Sequence, residues 1–238
     1  MPRKPATPAV ADEHAAPGGA AAVDRALSLL AAFRSGDAAL SLAELATRTR
    51  LYKSTALRLL ASLEHARLLQ RTPAGLYTLG TEVARLNAIY AASFSLQAQV
   101  LPVLRALVVR TRESAAFHVR QGDERLCLAR VDSPQLLRDH IRAGDVLPLE
   151  RGSGGRVLLA FSGARGKLYD QARRDGVVEL SGDRVADVAG VSAPVYGPQG
   201  ELAGALTLSF PVTRRRPGFA GHVRDAAKAL SRALGAPP

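Results

Sequence analysis

The chain has 238 residues, of which 47% are hydrophobic, so it is long enough for two domains of ordinary size, each with its own core. Its 32 Lys and Arg residues outnumber its 21 Asp and Glu residues, and the formal charge of +11 favours a nucleic acid over an acidic small molecule as the main partner. The single cysteine excludes an intramolecular disulfide, and no apolar run reaches the length of a transmembrane helix, so we expect a cytoplasmic protein.

The chain begins with a stretch rich in Ala, Pro and Gly that has no apolar periodicity, which predicts a disordered tail over residues 1–20. A domain is predicted over residues 21–80. Its first helix is predicted from an apolar stripe formed by Val23, Ala26, Leu27, Leu30 and Phe33.

Two further helices and a hairpin are predicted over residues 41–80. Ser41 and Glu44 have the spacing of a capping box, which marks the start of one helix. The next helix, over residues 52–66, has its apolar residues at helical spacing, namely Ala56, Leu59, Leu60 and Leu63. A Pro-Ala-Gly turn at residues 73–75 then predicts a short hairpin. Together these elements are typical of a winged helix-turn-helix, which makes duplex DNA the first partner to consider.

The outward face of the helix over residues 52–66 has the side chains that the major groove accepts. Arg suits guanine edges or phosphate, Ser and Thr suit either, and an apolar side chain suits a thymine methyl. The candidate DNA-binding residues are Lys53, Ser54, Thr55, Leu57 and Arg58, with Arg71 on the hairpin. Two alternatives stay open: Arg58 could contact phosphate or only solvent, and the two helices could belong to a larger core that binds no DNA.

The remaining sequence predicts a linker helix over residues 81–97 and an α+β domain over residues 98–238. The linker helix is predicted from Val83, Leu86, Tyr90 and Phe94, an apolar face that could pair with a second copy of the chain. Alternating runs predict strands over residues 115–120 and 125–131, and a pair of strands over residues 191–196 and 202–210. Cys127 lies in one of these runs and is expected to be a buried hydrophobe.

Four motifs in chain order resemble those of the IclR family of bacterial transcriptional regulators. They are KSTALRLL at residues 53–60, YTLG at 77–80, LPL at 147–149 with GSGGRVLLAF at 152–161, and GVSAPV at 190–195 with the run 200–211. One winged domain reads only a few base pairs, so we expect a homodimer on a pseudo-palindromic operator. The resemblance implies a GAF-like effector-binding domain after the linker helix and a doubling of the dimer to a tetramer through these domains, and no cofactor is expected. The chain departs from the family's pattern at Arg50 and Tyr52, around the turn between the two helices, and at Glu150 and Phe210, near where the family's ligand pocket should lie.

Residues 151–155 are predicted to form a flexible loop before a helix over residues 156–161. The resemblance places an effector pocket at Ser153, Gly154 and Gly155 of this loop, together with Thr207 and Ser209. Amides at a helix start favour an anion, and residues two apart on a strand share a face, so a small carboxylate is the expected ligand. Val157 and Leu206 are expected to supply apolar walls, and Ser181 and Gly190 are further candidates. The alternative is a glycine-rich turn needed only for close packing.

Two other classes of function stay open. An enzyme could use the segment over residues 152–155, although the sequence has no G-x-S-x-G motif and its five histidines lack metal-ligand spacing, so we expect neither catalytic nor metal-binding residues. A protein-interaction adaptor could keep the winged fold without binding DNA. A gel shift with the DNA upstream of the chain's own gene separates these from a regulator.

Overall fold

Residues 7–93 and 96–237 are described by the structure, a computed structural model. The chain divides into two compact units, residues 1–93 and 94–238. No helix in the described part is both long and apolar enough to cross a membrane.

The first unit consists of helices around a small leucine-rich core, with one hairpin. Its elements are α1 (Val10–Glu13), α2 (Ala21–Ala31), α3 (Leu42–Thr49), α4 (Lys53–His65), β1 (Leu69–Arg71), β2 (Tyr77–Leu79) and α5 (Thr81–Ser93). Leu29, Leu45, Leu60 and Tyr77 lie almost fully buried in its centre. The predicted order of helices and hairpin is confirmed.

The α3–α4 region follows its sequence pattern closely. Ser41 and Glu44 form the predicted capping box, which satisfies amides at the start of α3. Arg50 ends α3 in the left-handed conformation, with φ of 56°. Glycine adopts this conformation with less strain than any other residue. Tyr52 precedes α4 with extended backbone, so α4 starts without a proline.

The N-terminal part of the chain differs from its sequence prediction. In α2, Leu29 is buried, whereas Val23 and Leu27 are 54% and 53% exposed, so the stripe predicted through those two residues is wrong. Within the predicted disordered tail, residues 10–13 form α1, and Ala9 packs into the core. Short alanine side chains allow this close packing, and periodicity could not reveal it in so short a segment.

The hairpin pairs β1 with β2 in antiparallel register, with Arg71 opposite Tyr77. Gly75 adopts a φ of 79° in its turn, a conformation that side chains disfavour. Leu40 and Tyr77 exchange backbone hydrogen bonds of 2.7 and 2.9 Å, which ties the hairpin to the segment before α3.

The second unit has a six-stranded antiparallel sheet in the order β5-β4-β3-β8-β7-β6. Its elements are a π-helical turn (Leu96–Val100), α6 (Leu101–Thr111), β3 (Ser114–Gln121), β4 (Glu124–Val131), β5 (Val146–Pro148), α7 (Gly152–Phe161), α8 (Lys167–Asp175), β6 (Val178–Ser181), β7 (Val188–Tyr196), β8 (Leu202–Pro211), a 3-10 turn (Val212–Arg214) and α9 (Phe219–Ala233). The predicted α+β class is confirmed.

Helices cover both faces of this sheet. Leu206, Leu208 and Phe210 of β8 pack in the cluster that includes α6 and α9, whereas Ala205 packs in the cluster of α7 and α8. Because successive side chains of a strand point to opposite faces, Thr207 lies on the α7 side together with Ala205. The sequence pattern did not predict α8, whose only buried residue is Ala172.

Candidate functional site

The exposed face of α4 is the first candidate site. Lys53, Ser54 and Arg58 are exposed, Thr55 is half-buried, and Leu57 is 47% exposed despite its apolar side chain. The same helix buries Ala56, Leu60 and Leu63 against the core. The core therefore fixes which face of α4 is presented to solvent.

The electrostatics of this face depend on which arginines already have partners. Arg48 forms an ion pair with Asp37, and Arg50 forms one with Glu13. Within the described ranges, Lys53, Arg58 and Arg71 make no ion pair with a carboxylate. Positive charge is thus left unneutralised on α4 and on the hairpin, where phosphates could accept it.

Arg71 has a defined position on the hairpin. Its guanidinium lies 5.8 Å from the centre of the Tyr77 ring, within the range of a cation–π interaction. The side chain is nevertheless exposed, so its charge is accessible to a phosphate.

A small cavity lies where α7 meets the sheet of the second unit, and it is the second candidate site. Its volume is about 40 Å³. Its lining includes polar or charged side chains from β3, β4, α7, β8 and two loops, namely His118, Arg125, Arg130, Asp139, Ser153, Asp183, Arg184, Thr207 and Ser209. Its apolar lining comes from Ala116, Ile141, Leu180, Val188 and Ala189.

A chain of hydroxyl groups crosses the wall of this cavity. The Ser153 and Ser192 oxygens are 2.8 Å apart, and Ser192 lies 2.8 Å from the Thr207 hydroxyl. Thr207 in turn lies 3.3 Å from Nδ1 of His118. The chain joins three strands to the first turn of α7, and all four side chains are buried.

Five of the seven residues predicted for the effector pocket line this cavity: Ser153, Gly154, Gly190, Thr207 and Ser209. Ser153 to Gly155 are not a loop before the helix, as the sequence predicted, but belong to the first turn of α7, which begins at Gly152. Gly190 leaves room for Ser153, because a Cβ atom there would lie 2.7 Å from the Ser153 hydroxyl oxygen.

Gly155 and Ser181 do not line the cavity. A Cβ atom on Gly155 would lie 2.1 Å from the Leu149 carbonyl oxygen, so this glycine permits close backbone packing. Ser181 ends β6 with its side chain exposed. The close-packing alternative therefore fits Gly155, whereas Ser153 and Gly154 line the cavity.

Several side chains expected near the pocket lie elsewhere. Glu150 is exposed and outside the cavity lining, so its charge does not face the cavity. Phe210 is buried against Phe219, with ring centres 4.8 Å apart. Val157 and Leu206, expected as apolar walls, are buried in two different hydrophobic clusters instead.

Arg125 and His118 are among the cavity residues that were not predicted from the sequence. Arg125 is 2% exposed although it is charged. The sequence did contain a clue: Arg125 lies two residues from Cys127, which was correctly expected to be buried, so both share one face of β4. Burial raises the pKa of the Cys127 thiol to about 12, so it stays a protonated thiol.

His118 is uncharged in this surrounding. Complete burial, with the nearby positive charges of Arg125, Arg130 and Arg184, holds the pKa of His118 well below its usual range. Its Nε2 atom is buried and has no hydrogen-bond partner in the part of the chain that the structure describes.

The acidic side chains of the cavity already have partners. Asp139 forms ion pairs with Arg130 and, at 3.5 Å, with Arg184. Asp183 accepts a 2.5 Å hydrogen bond from the Gly152 amide, at the start of α7. Within the described part of the chain, these contacts leave Arg125 as the cavity's charged group without a direct counter-charge.

Comparison with family models places both units in one family. The model of the IclR helix-turn-helix domain matches residues 22–73. The model of the bacterial transcriptional regulator IclR C-terminal domain matches residues 88–169.

Curated relatives match along most of the chain. The glycerol operon regulatory protein of Streptomyces griseus is 29% identical over 90% of this chain and 96% of its own length. The HTH-type transcriptional repressor AllR of Escherichia coli strain K12 is 24% identical over 94% of this chain and 93% of its own. These relatives are regulatory proteins by name.

Solved structures share the fold. A putative IclR transcriptional regulator from Silicibacter sp. TM1040 matches with a TM-score of 0.79 and 26% identity, covering 91% of this chain and 98% of that one. An IclR homologue from Microbacterium hydrocarbonoxydans, solved in complex with 4-hydroxybenzoate, has the same TM-score at 22% identity, covering 90% and 98%. The family models match both the winged helix-turn-helix, with its exposed basic helix, and the α+β unit, with its cavity. The chain is therefore a member of the IclR family, a DNA-binding transcriptional regulator modulated by a small molecule.

Proposed function

We propose that this regulator binds a pseudo-palindromic operator as a homodimer and that a small organic acid in the cavity at α7 changes its affinity for that operator. The observation that carries the proposal is the cavity itself, where the first turn of α7, buried hydroxyl groups and Arg125 surround one space. Helix N-termini and arginine both favour carboxylates.

DNA contact is assigned to α4 and the hairpin. Arg58, with Lys53, Ser54, Thr55 and Leu57, faces base edges and the adjoining backbone, and Arg71 contacts phosphate from the wing. This assignment is supported by the exposure of Arg58 and by the unpaired charge on both elements. Arg58 has the donor fork that guanine O6 and N7 accept.

The homodimer follows from the geometry of recognition. One winged domain covers only a short half-site, and a two-fold copy supplies the second half. The α5 helix supports this, because Leu86, Ile89 and Tyr90 are neighbours at helical spacing and are 43% to 55% exposed. Phe94, also expected on this face, lies outside the described residues. Pairing of two α5 helices would bury these side chains.

We favour a regulator without enzymatic activity over the two alternatives. Ser153 has a hydroxyl, not a base, as its hydrogen-bond partner, and Arg125 and His118 are both enclosed. A nucleophile would need an adjacent base to activate it. An adaptor without DNA binding would not need the exposed basic side chains of α4.

The organic-acid class has outside support. The IclR homologue from Microbacterium hydrocarbonoxydans is complexed with 4-hydroxybenzoate, which is itself an organic acid. A ligand of that size exceeds the volume of about 40 Å³ present in this chain, so it would need the surrounding loops to move.

The test is a gel shift with the DNA upstream of the chain's own gene, with and without sodium salts of organic acids from acetate to 4-hydroxybenzoate. We expect a shift that at least one acid alters. Ser153→Leu should fill the cavity and abolish the response while leaving ligand-free DNA binding intact. Ser162→Leu adds the same bulk at the exposed end of α7 and should respond like the parent. An unaltered response in Ser153→Leu would place the effector site elsewhere.

A further inference from the structure

The Arg125 guanidinium is buried in the second unit without a charged partner. Arg125 lies on β4, is 2% exposed and lines the cavity. Among residues 7–93 and 96–237, no carboxylate lies within ion-pair distance of it, and its Nε atom has no hydrogen-bond partner. Burying a charge without a partner costs free energy, so folded proteins rarely keep such a charge unless it has a function.

Two glycines of α7 bring this guanidinium against the first turn of the helix. A Cβ atom on Gly154 would lie 2.4 Å from Nη1 of Arg125, and one on Gly152 would lie 3.1 Å from Nη2. The guanidinium therefore occupies the space that side chains at these two positions would fill. The first amides of a helix lack intrahelical acceptors and carry a partial positive charge. Asp183 already accepts from the Gly152 amide, so the guanidinium is the positive group in this space that an anion would complement.

The neighbouring acids do not compensate Arg125. Asp139 pairs with Arg130 and Arg184, and Asp183 accepts from the Gly152 amide. With His118 uncharged, three arginines and two aspartates leave one positive charge in excess around the cavity. Burial, with repulsion by Arg184, lowers the pKa of Arg125 to about 10, so the side chain still carries its charge at neutral pH.

We propose that Arg125 is the anchor for the effector's carboxylate and that the effector of this chain is a compact monocarboxylate. The proposal rests on the proposed function of the cavity and adds the residue that selects an anion over a neutral molecule. Arg can hold both oxygens of a carboxylate at once, and one negative charge balances the single excess charge. Ala116, Val188 and Ala189 line the same cavity, and its volume of about 40 Å³ favours a ligand with a short alkyl group.

The test measures thermal unfolding of the full chain with four probes: sodium acetate, sodium propionate, the neutral isostere acetamide and, as an anion of another class, sodium phosphate. Ionic strength is held constant by replacing sodium chloride. A ligand of about four or five heavy atoms binds at best in the micromolar to millimolar range, so the probes are titrated to tens of millimolar. We expect both carboxylates, but not acetamide, to raise the Tm of the parent in a saturable way.

Three variants make the test specific to Arg125. Arg125→Met keeps the length of the side chain but not its charge, and it should lose the response to carboxylates. Arg125→Lys keeps the charge without the planar fork of the guanidinium. It should still respond, but at a carboxylate concentration at least tenfold higher than the parent needs. Arg120→Met removes the same charge from the exposed position that pairs with Arg125 in the sheet, and it should respond like the parent.

Stability without any probe separates an anchor from a structural arginine. If Arg125 serves only to bind a ligand, removing its unpaired charge should leave the Tm of Arg125→Met equal to or higher than that of the parent. A lower Tm without probe would show a structural role and overturn the proposal. Circular dichroism at room temperature checks that each variant is folded.

The remaining outcomes are also decisive. Equal responses of Arg125→Met and the parent would overturn the anchor, and the effector cavity would still stand if Ser153→Leu loses its response. Equal responses of the parent to acetate and to inorganic phosphate would indicate a general anion site and overturn the carboxylate class. If the parent responds to neither carboxylate, the proposal of a compact monocarboxylate is wrong. If the parent gives no gel shift with the DNA upstream of its gene, the proposed function is wrong.

Discussion

Nδ1 of His118 lies 3.3 Å from the hydroxyl oxygen of Thr207, at the end of the buried hydroxyl chain that begins at Ser153. The contact holds a neutral imidazole in the wall of the cavity. Because burial and three arginines hold the pKa of His118 well below its usual range, protonating it in the folded state costs free energy.

A pH dependence of stability follows from this contact. The unfolded chain takes up a proton on this histidine near pH 6.5, and the folded chain does so only at lower pH, so the free energy of unfolding falls as pH falls below about 6.5. The contribution of His118 is about 1.4 kcal/mol for each pH unit until its folded pKa is reached. Urea unfolding at pH 7.5, 6 and 5 should show a shallower pH dependence in His118→Gln than in the parent. His65→Gln, at an exposed position on α4, serves as control. Equal slopes in parent and His118→Gln would contradict the prediction.

Base recognition by Arg58 is the second prediction. Arg58→Ala should lower operator affinity by about 1 to 3 kcal/mol and reduce the ratio of operator to random-DNA affinity, because a bidentate base contact is lost. Fluorescence anisotropy with both DNAs measures the ratio. Arg105→Ala removes an exposed charge from α6 of the second unit and should leave both affinities unchanged. A preserved ratio in Arg58→Ala would assign Arg58 to phosphate or solvent.

Arg71 is expected to behave differently. Because a wing contact to phosphate carries no sequence information, Arg71→Ala should weaken operator and random DNA by the same factor. The slope of log affinity against log salt concentration should become shallower by about 0.9, the value for one lost phosphate contact. An unchanged salt slope would remove Arg71 from the DNA interface.

The exposed apolar face of α5 predicts the oligomeric state. Light scattering at micromolar concentration should give at least twice the 25.1 kDa of one chain. Leu86→Glu places a charge on the apolar face and should shift the mass towards that of one chain. Asn87→Glu places the same charge one residue further along, off the apolar face, and should leave the mass unchanged. A parent of monomeric mass would contradict the homodimer.

The left-handed conformation of Arg50 can be tested by a pair of substitutions. Arg50→Gly and Arg50→Ala both lose the ion pair with Glu13, so this loss cancels in the comparison. Only glycine relieves the positive φ of 56°, so Arg50→Gly should be about 1 kcal/mol more stable than Arg50→Ala in urea unfolding. Equal stabilities would show that the backbone at Arg50 is not strained.

Local patterns in the sequence were sufficient for much of the fold. The capping box of Ser41 and Glu44, the apolar stripe of α4 and the turn at Gly75 depend on neighbours within a few residues, so they can be recognised in a single chain. The alternation of β3, β4, β7 and β8 was recognised for the same reason. Val23 and Leu27 were misassigned because periodicity does not define which side of a short helix meets the core.

The cavity was decided by tertiary structure. Strand periodicity places Thr207 and Ser209 on one face of the sheet. They line the same cavity as Ser153 because α7 packs on that face, which the sequence pattern does not show. Arg125 and His118 come from strands that the sequence could describe only as alternating, and the charge left unpaired on Arg125 exists only because Asp139 and Asp183 are bound elsewhere. Sequence determines the local propensities along this chain, whereas burial and charge pairing depend on contacts between distant segments, and these decide where an anion can bind.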